Sequence, residues 1–107
     1  MLARIWTGAT PRGKADAYAA FLEERAVPDY AQTPGNVAVY VLRRDDGDRT
    51  EFTIVTLWQS LEAIEAFAGR DVSVAKFYPE DDEFLIERGP VATHYEVTAH
   101  LEQSRPD

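Results

Sequence analysis

The stretch Asn36-Val37-Ala38-Val39-Tyr40-Val41-Leu42 is apolar on both sides of what its β-branched residues mark as a strand. A strand on the outside of a two-layer α+β domain alternates, apolar toward the core and polar toward water. This one does not alternate. The next run, Phe52-Thr53-Ile54-Val55-Thr56-Leu57-Trp58, has only hydroxyls for relief. The chain holds too few helices to cover both faces of a sheet. A second copy of the same protein is the simplest cover for the open face, which puts any ligand site beside a dimer interface.

The other elements follow outward from this pair. Residues 2–7 read as a first strand. Thr10 and Pro11 look like an N-cap and a first helical position, with Tyr18, Phe21, Leu22 and Arg25 at helical spacing and Pro28 limiting the run. Thr33-Pro34-Gly35 is turn chemistry. Asp45-Asp46-Gly47-Asp48 is a polar turn joining strands at 36–44 and 51–58 into a hairpin. Ser60 caps a second helix with Glu62 in its first turn; Leu61, Ile64, Phe67 and Ala68 form its buried stripe and Gly69 ends it. Residues 70–78 read as a short helix or ordered loop, Pro79-Glu80-Asp81-Asp82 as a further helical turn, and 91–98 as the closing strand. Strand, helix, strand, strand, helix, strand is the split βαβ, ferredoxin-like order. The expectation is an α+β fold: a four-stranded antiparallel sheet with helices on one face, closing on a second copy as a dimeric α/β barrel. The domain is expected over 1–98, with 99–107 a flexible tail.

Composition narrows the function. A chain of 107 residues holds one domain. It has no cysteine, which removes disulfides, thiolate metal sites and cysteine nucleophiles and fits a reducing cytoplasm. The N-terminus runs Met-Leu-Ala-Arg-Ile-Trp straight into a strand pattern, without a basic leader and apolar run. No segment is long and apolar enough to span a bilayer. A net charge of −8 repels nucleic acid and anionic lipid. The expected partners are a small molecule and a second copy.

The segment Leu57-Trp-Gln-Ser-Leu-Glu-Ala-Ile-Glu-Ala-Phe-Ala-Gly69 resembles the strand-to-helix junction of the antibiotic biosynthesis monooxygenase superfamily. Ala3-Arg-Ile-Trp6, Thr33-Pro-Gly35, Phe77-Tyr-Pro-Glu-Asp81 and His94-Tyr-Glu-Val97 are similar to members of that group as well, so the likeness spans roughly residues 2–98. It implies a dimeric α/β barrel, and an activity among cofactor-free oxygenation of phenolic polyketides, haem degradation and related small-molecule chemistry. The haem-degrading branch pairs a Trp, matched by Trp58, with an Asn on the first strand and a His near the end of the following helix. Here the first strand offers Arg4 and Trp6, and the helix ends Phe67-Ala68-Gly69. That departure argues against haem.

Strand parity groups the candidate site residues. Arg4, Trp6, Tyr40, Phe52, Trp58, His94 and Glu96 are even-numbered and are expected on one aromatic, polar-tipped face; Val37, Val39 and Val41 join Ala3, Ile5, Val55, Leu57 and Val97 on the other. An apolar cavity with a few convergent polar groups suits a small molecule. Trp58 offers a face for stacking and an N–H donor, or is simply a core aromatic. His94 has the ordinary pKa of a base for a phenol, or hydrogen-bonds across the sheet or the interface. Arg4 could stabilise a phenolate or superoxide, or pair with Glu96. Trp6, Tyr40 and Phe67 are expected as walls, and Tyr78 as a cover or a packing anchor. The acids 80–83 fit a helix start better than a metal site.

The resulting expectation is a cytoplasmic homodimer similar to cofactor-independent monooxygenases, acting on a phenolic or polyketide-like aromatic substrate with dioxygen and without metal or flavin. His94 would be the base, Arg4 the electrostatic partner and Trp58 a stacking wall. The alternatives are a non-catalytic barrel binding a hydrophobic metabolite, and a polyketide cyclase or isomerase using the same pocket.

Overall fold

In the computed structural model, which describes residues 1–103, strand β1 (Leu2–Pro11) is paired on both sides. On one side lies β3 (Arg49–Trp58), antiparallel from Leu2↔Trp58 to Pro11↔Arg49. β2 (Asn36–Asp46) continues the sheet beyond β3, the two joined by a turn at Gly47 and Asp48. On its other side β1 meets two short strands, β4 (Glu87–Arg88) beside Gly8 and Ala9, and β5 (Thr93–Glu96) beside residues 2–5. The closing strand expected at 91–98 is thus shortened to 93–96, and an unexpected two-residue strand precedes it. Pro90, which has no N–H to give a ladder, lies in the gap. The order β2-β3-β1 followed by β4 and β5 is the ferredoxin-like order, and the α+β class is as expected.

Thr10 and Pro11 do not start a helix. Both remain in β1, where Thr10 is buried opposite Thr50. The helical run begins after them with a 3-10 turn (Arg12–Lys14), continues as α1 (Ala15–Phe21), widens into a π segment (Leu22–Ala26) and ends as α2 (Val27–Ala31). Pro28 does not stop this run. The Val27 N–H reaches back five residues to the Leu22 carbonyl, so Pro28 falls in the first turn of a new helix, where its missing N–H is not needed.

The helical run and a second helix pack on one sheet face. Phe52, Ile54, Thr56 and Trp58 of β3 point into it and are buried. Phe52 and Ile54 pack with Ala15, Tyr18, Leu22 and Ala26; Trp58 packs with Ile64 and Phe67 of α3 (Leu61–Ala68). Ser60 caps α3 by accepting a bond from the Ala63 N–H at 3.2 Å. Its stripe is narrower than expected, because Leu61 is exposed. Residues 70–80 are irregular and lead to a short α4 (Asp81–Phe84).

Parity holds in β1, β3 and β5 but breaks in β2. A bulge between Asn36 and Ala38 adds Val37 as an extra residue, and the Asn36 amide holds it by donating to the Leu57 carbonyl at 3.2 Å and the Ala38 carbonyl at 3.4 Å. Beyond the bulge Val39 and Val41 turn toward the helices, while Tyr40 and Leu42 turn away and are about half exposed (52% and 51%). The expected grouping of Tyr40 with Arg4 and Trp6, and of Val39 and Val41 with Ile5 and Val55, is therefore corrected. The open face carries Ile5, Ala38, Tyr40, Val55, Leu57 and Tyr95. Of the expected tail, 99–103 is exposed and outside any regular element, and 104–107 lies outside the described residues.

Gly35 precedes β2 with φ +90, and a Cβ there would stand 2.4 Å from the Ala63 Cβ of α3. Gly35→Ala is expected to cost about 1–3 kcal/mol through the strained φ and the clash. Adding Ala63→Gly, itself worth about 1 kcal/mol of helix propensity, should cost less than the sum of the two, read from urea midpoints.

Candidate functional site

Between the sheet and the irregular 74–81 segment lies a cavity lined by Arg4, Trp6, Tyr18, Leu22, Ala26, Tyr30, Ile54, Ala75, Lys76, Phe77, Tyr78 and Asp81. Water centres can occupy about 30 Å³ of it, enough for about one or two waters. β1 supplies Arg4 and Trp6 because even positions face the helices. The helical run supplies Tyr18, Leu22, Ala26 and Tyr30, four residues apart each time. The cover segment supplies the rest.

Arg4 is only 4% exposed. One of its Nη atoms donates to the Val74 carbonyl at 3.0 Å, its Nε has no partner, and among the described residues it makes no ion pair. The alternative of a pair with Glu96 is not realised. Burial pulls the guanidinium's pKa down, and neighbouring Tyr30 pushes it back up. The Tyr30 hydroxyl is pushed up to about 12, by burial first, with Arg4 acting against it. Burial likewise raises Tyr18. Both phenols stay protonated at neutral pH, and neither makes a hydrogen bond to another described residue.

Trp6 donates its indole N–H to the Gly89 carbonyl at 2.7 Å, and its ring leaves no room for a side chain at Gly8, where a Cβ would meet it at 2.5 Å. Tyr78 donates to Asp29 at 2.7 Å, and Lys76 donates to the same oxygen at 3.2 Å. Burial and that bond together raise the Tyr78 pKa, while the Tyr78 bond is the chief reason Asp29 lies below the usual carboxylate range. Asp81 is 4% exposed; its Oδ2 accepts from the Tyr78 N–H at 2.8 Å and its Oδ1 has no partner. Burial raises its pKa against the pull of the Tyr78 N–H and of Arg88.

The residues read from the sequence divide accordingly. Arg4, Trp6 and Tyr78 line one cavity. Trp58 and Phe67 do not: Trp58 is wholly buried, its indole N–H donates to the Thr56 hydroxyl at 2.8 Å, and that hydroxyl donates to the Arg4 carbonyl at 3.3 Å. Phe67 stacks on Tyr30, so both rings sit one layer behind the cavity wall. His94 lies opposite Arg4 on β5 but is not among the lining residues; its Nε2 is buried without a partner, and burial, then Arg4, lowers its pKa. Tyr40 is on the other sheet face, for the reason given above. Tyr18, Tyr30 and Asp81 were not recognised as site residues. Tyr18 reads as ordinary helix stripe, and nothing in the run Glu80-Asp81-Asp82-Glu83 marks which acid turns inward.

A family model described as antibiotic biosynthesis monooxygenase matches residues 1–75. The chain belongs to that family. Solved structures agree on the fold. SnoaB from Streptomyces nogalater, described as a cofactor-independent oxygenase, is 17% identical, with 95% of this chain and 98% of that one covered and a TM-score of 0.62. The haem degrader MhuD from Mycobacterium tuberculosis is 21% identical over 95% and 100%, with a TM-score of 0.63. A protein of unknown function from Nitrosomonas europaea is 19% identical over 97% and 95%, with a TM-score of 0.71. No curated protein matches by sequence.

The Tyr78–Asp29 bond fastens the cover. A carboxylate held below its ordinary value stabilises the fold above that value and loses its contribution as pH falls through the depressed one. Tyr78→Phe is therefore expected to cost about 1 kcal/mol at pH 7. The difference from the parent should shrink below pH 3.8, the ordinary aspartate value, as read from urea unfolding at a series of pH values.

Proposed function

We propose that this chain is a homodimeric, cytoplasmic oxygenase that uses dioxygen, without metal or flavin, on a phenolic, polyketide-like aromatic substrate. Arg4 carries the reading: a buried cation beside an aromatic-walled cavity, in ion-pair contact with no carboxylate among the described residues, although Asp81 lines the same space. A charge so placed costs several kcal/mol unless matched, and an ionised phenol is a match. SnoaB, described as a cofactor-independent oxygenase, shares the fold.

The phenol ionises against Arg4, its proton passing to water. The phenolate gives one electron to dioxygen, leaving a phenoxyl radical and superoxide. The two unpaired electrons pair as a carbon–oxygen bond, the resulting peroxide takes a proton back from water, and the O–O bond breaks with loss of the hydrogen on the attacked carbon, releasing one water and leaving a quinone, so that phenol and dioxygen become quinone and water. Arg4 holds the negative charge on whichever oxygen carries it. This reading gives the proton to water rather than to His94, which lies beside Arg4 but outside the cavity lining.

Haem suits these residues poorly. No histidine, cysteine or methionine lines the cavity, and burial keeps the Tyr18 and Tyr30 hydroxyls protonated. A ring must displace the 74–81 segment to enter, since the closed cavity admits only water. That small volume favours the second reading, a non-catalytic barrel that holds a hydrophobic metabolite.

Arg4→Ala is expected to abolish the tightening of phenol binding that accompanies ionisation of the ligand, measured by fluorescence titration across the ligand's pKa. Oxygen uptake should fall at least about 10²-fold in the same variant, in line with the loss of an oxyanion-stabilising donor. His94→Ala should stay within tenfold of the parent. A loss of about 10²–10⁴-fold there would restore it as the base, and no oxygen uptake with any phenol would favour the binding barrel.

The dimer rests on the open sheet face, where Val55 lies between Ile5 and Tyr40. Sedimentation at micromolar concentration should show a dimer for the parent and a folded monomer for Val55→Lys. A monomeric parent would end the barrel reading.

A further inference from the structure

Tyr78 separates two spaces. It lines the closed cavity, and on its outer side it lines a surface depression with Arg25, Pro28, Asp29 and Gln32. Among the described residues no other lines both. The backbone on either side of it is tied down. Before it, the Ala75 N–H donates to the Pro90 carbonyl at 3.2 Å, the Ala92 N–H to the Ser73 carbonyl at 2.8 Å, and Arg4 to the Val74 carbonyl at 3.0 Å. After it, the Asp81 N–H donates to the Tyr78 carbonyl at 3.0 Å, while the Tyr78 N–H donates to the Asp81 carboxylate at 2.8 Å. Lifting this backbone would break those bonds together. The side chain is held by much less: one hydrogen bond to Asp29 at 2.7 Å, an edge-on contact with Phe21 at 5.9 Å, and the Arg25 guanidinium 5.7 Å from its ring. Releasing it strands no charge. Asp29 keeps Lys76 at 3.2 Å and is 41% exposed, and the freed hydroxyl passes to water.

We propose that the Tyr78 side chain is a door: it turns outward into the depression while the backbone of the cover stays in place, and the space it leaves receives the ring of an incoming ligand. A change of rotamer is enough for this motion. The vacated space is the size of one aromatic ring and adjoins the cavity that Arg4 lines, which accounts for a ring entering a site that holds only water when closed. Asp29 is the latch, because the hydroxyl it accepts from is the only polar tie on the door's side chain among the described residues. The door does not depend on what a ligand undergoes inside, so it stands or falls apart from the oxygenase reading.

The chain has no cysteine, so one introduced thiol reports alone. Ala26→Cys puts it on the cavity wall, and Ala15→Cys in the adjoining core outside the cavity lining; the two positions are 2% and 1% exposed. Each variant is treated with methyl methanethiosulfonate in urea concentrations below the unfolding transition, and labelling is followed by intact mass. Labelling at Ala15→Cys should rise with urea as global unfolding does. Labelling at Ala26→Cys should stay flat, because turning one side chain exposes little surface. Adding Tyr78→Phe, which keeps the ring and removes its bond to Asp29, should speed labelling at Ala26→Cys about tenfold. In that chain the Ala75 and Ala92 amides should lose no more hydrogen-exchange protection than the shift in urea midpoint accounts for. Near-ultraviolet circular dichroism checks packing, and Leu22→Cys, on the same wall, serves if Ala26→Cys does not fold. Equal urea dependence at the two thiols, no gain from Tyr78→Phe, or loss of Ala75 and Ala92 protection in step with faster labelling overturns the door; the last outcome would mean that the whole segment lifts.

Discussion

A buried guanidinium that makes no ion pair among the described residues is the constraint around which this chain is arranged. Arg4 sits on the strand that is paired on both sides, where backbone position is most firmly set. The Arg4 carbonyl accepts from Thr56, which in turn accepts from the Trp58 indole, so the second hydrophobic cluster and the charged residue share one line of hydrogen bonds. Its head group reaches the other way, to the carbonyl of Val74 at the start of the cover segment. One residue thus joins sheet, core and cover. The cost of burying its charge is the strongest physical reason to expect an anionic oxygen in the adjoining space.

The two sheet faces are used differently. The helix side is densely aromatic and ends at the cavity; the other side presents aliphatic and tyrosine side chains with no helix over them among the described residues. A sheet with one such face needs a second layer, and a symmetric copy meets that need without a further domain. Edge strand β2 moderates its own exposure by ending in Arg43, Arg44, Asp45 and Asp46, charges that discourage unplanned pairing.

Periodicity and capping signals carried most of the architecture: the hairpin, the Ser60 cap, the Gly69 stop and the position of the first strand between the third and the last. What they missed is local and has physical causes. A bulge has no reliable mark in sequence, and the extra residue at Val37 exchanged the faces of every position after it, moving Tyr40 out of the site and Val39 into the core. Trp58 reads from sequence as a stacking wall, yet its ring is wholly buried behind the cavity. Its indole N–H is satisfied internally, by the Thr56 hydroxyl, which the sequence does not reveal. Asp81 was illegible for a different reason. Four consecutive acids look alike until the fold turns one of them inward, and the signal that would separate them, an unsatisfied oxygen, exists only in three dimensions.

The widened turn at Leu22–Ala26 has a geometric effect on the cavity. Tyr18, Leu22, Ala26 and Tyr30 recur every four residues, and in an unbroken α-helix such a row drifts about 40° per step, so that the last would lie roughly 120° around the axis from the first. A π turn holds an additional residue and returns the row to within roughly 20° of a straight line. All four can then look into the same space. In a lineage of such chains, losing a single residue from this turn would rotate Tyr30 and Asp29 away together, taking one wall and the anchor of the cover in one event. Gain or loss of one residue in the first helix is therefore a simple route by which relatives of this fold can change what they hold.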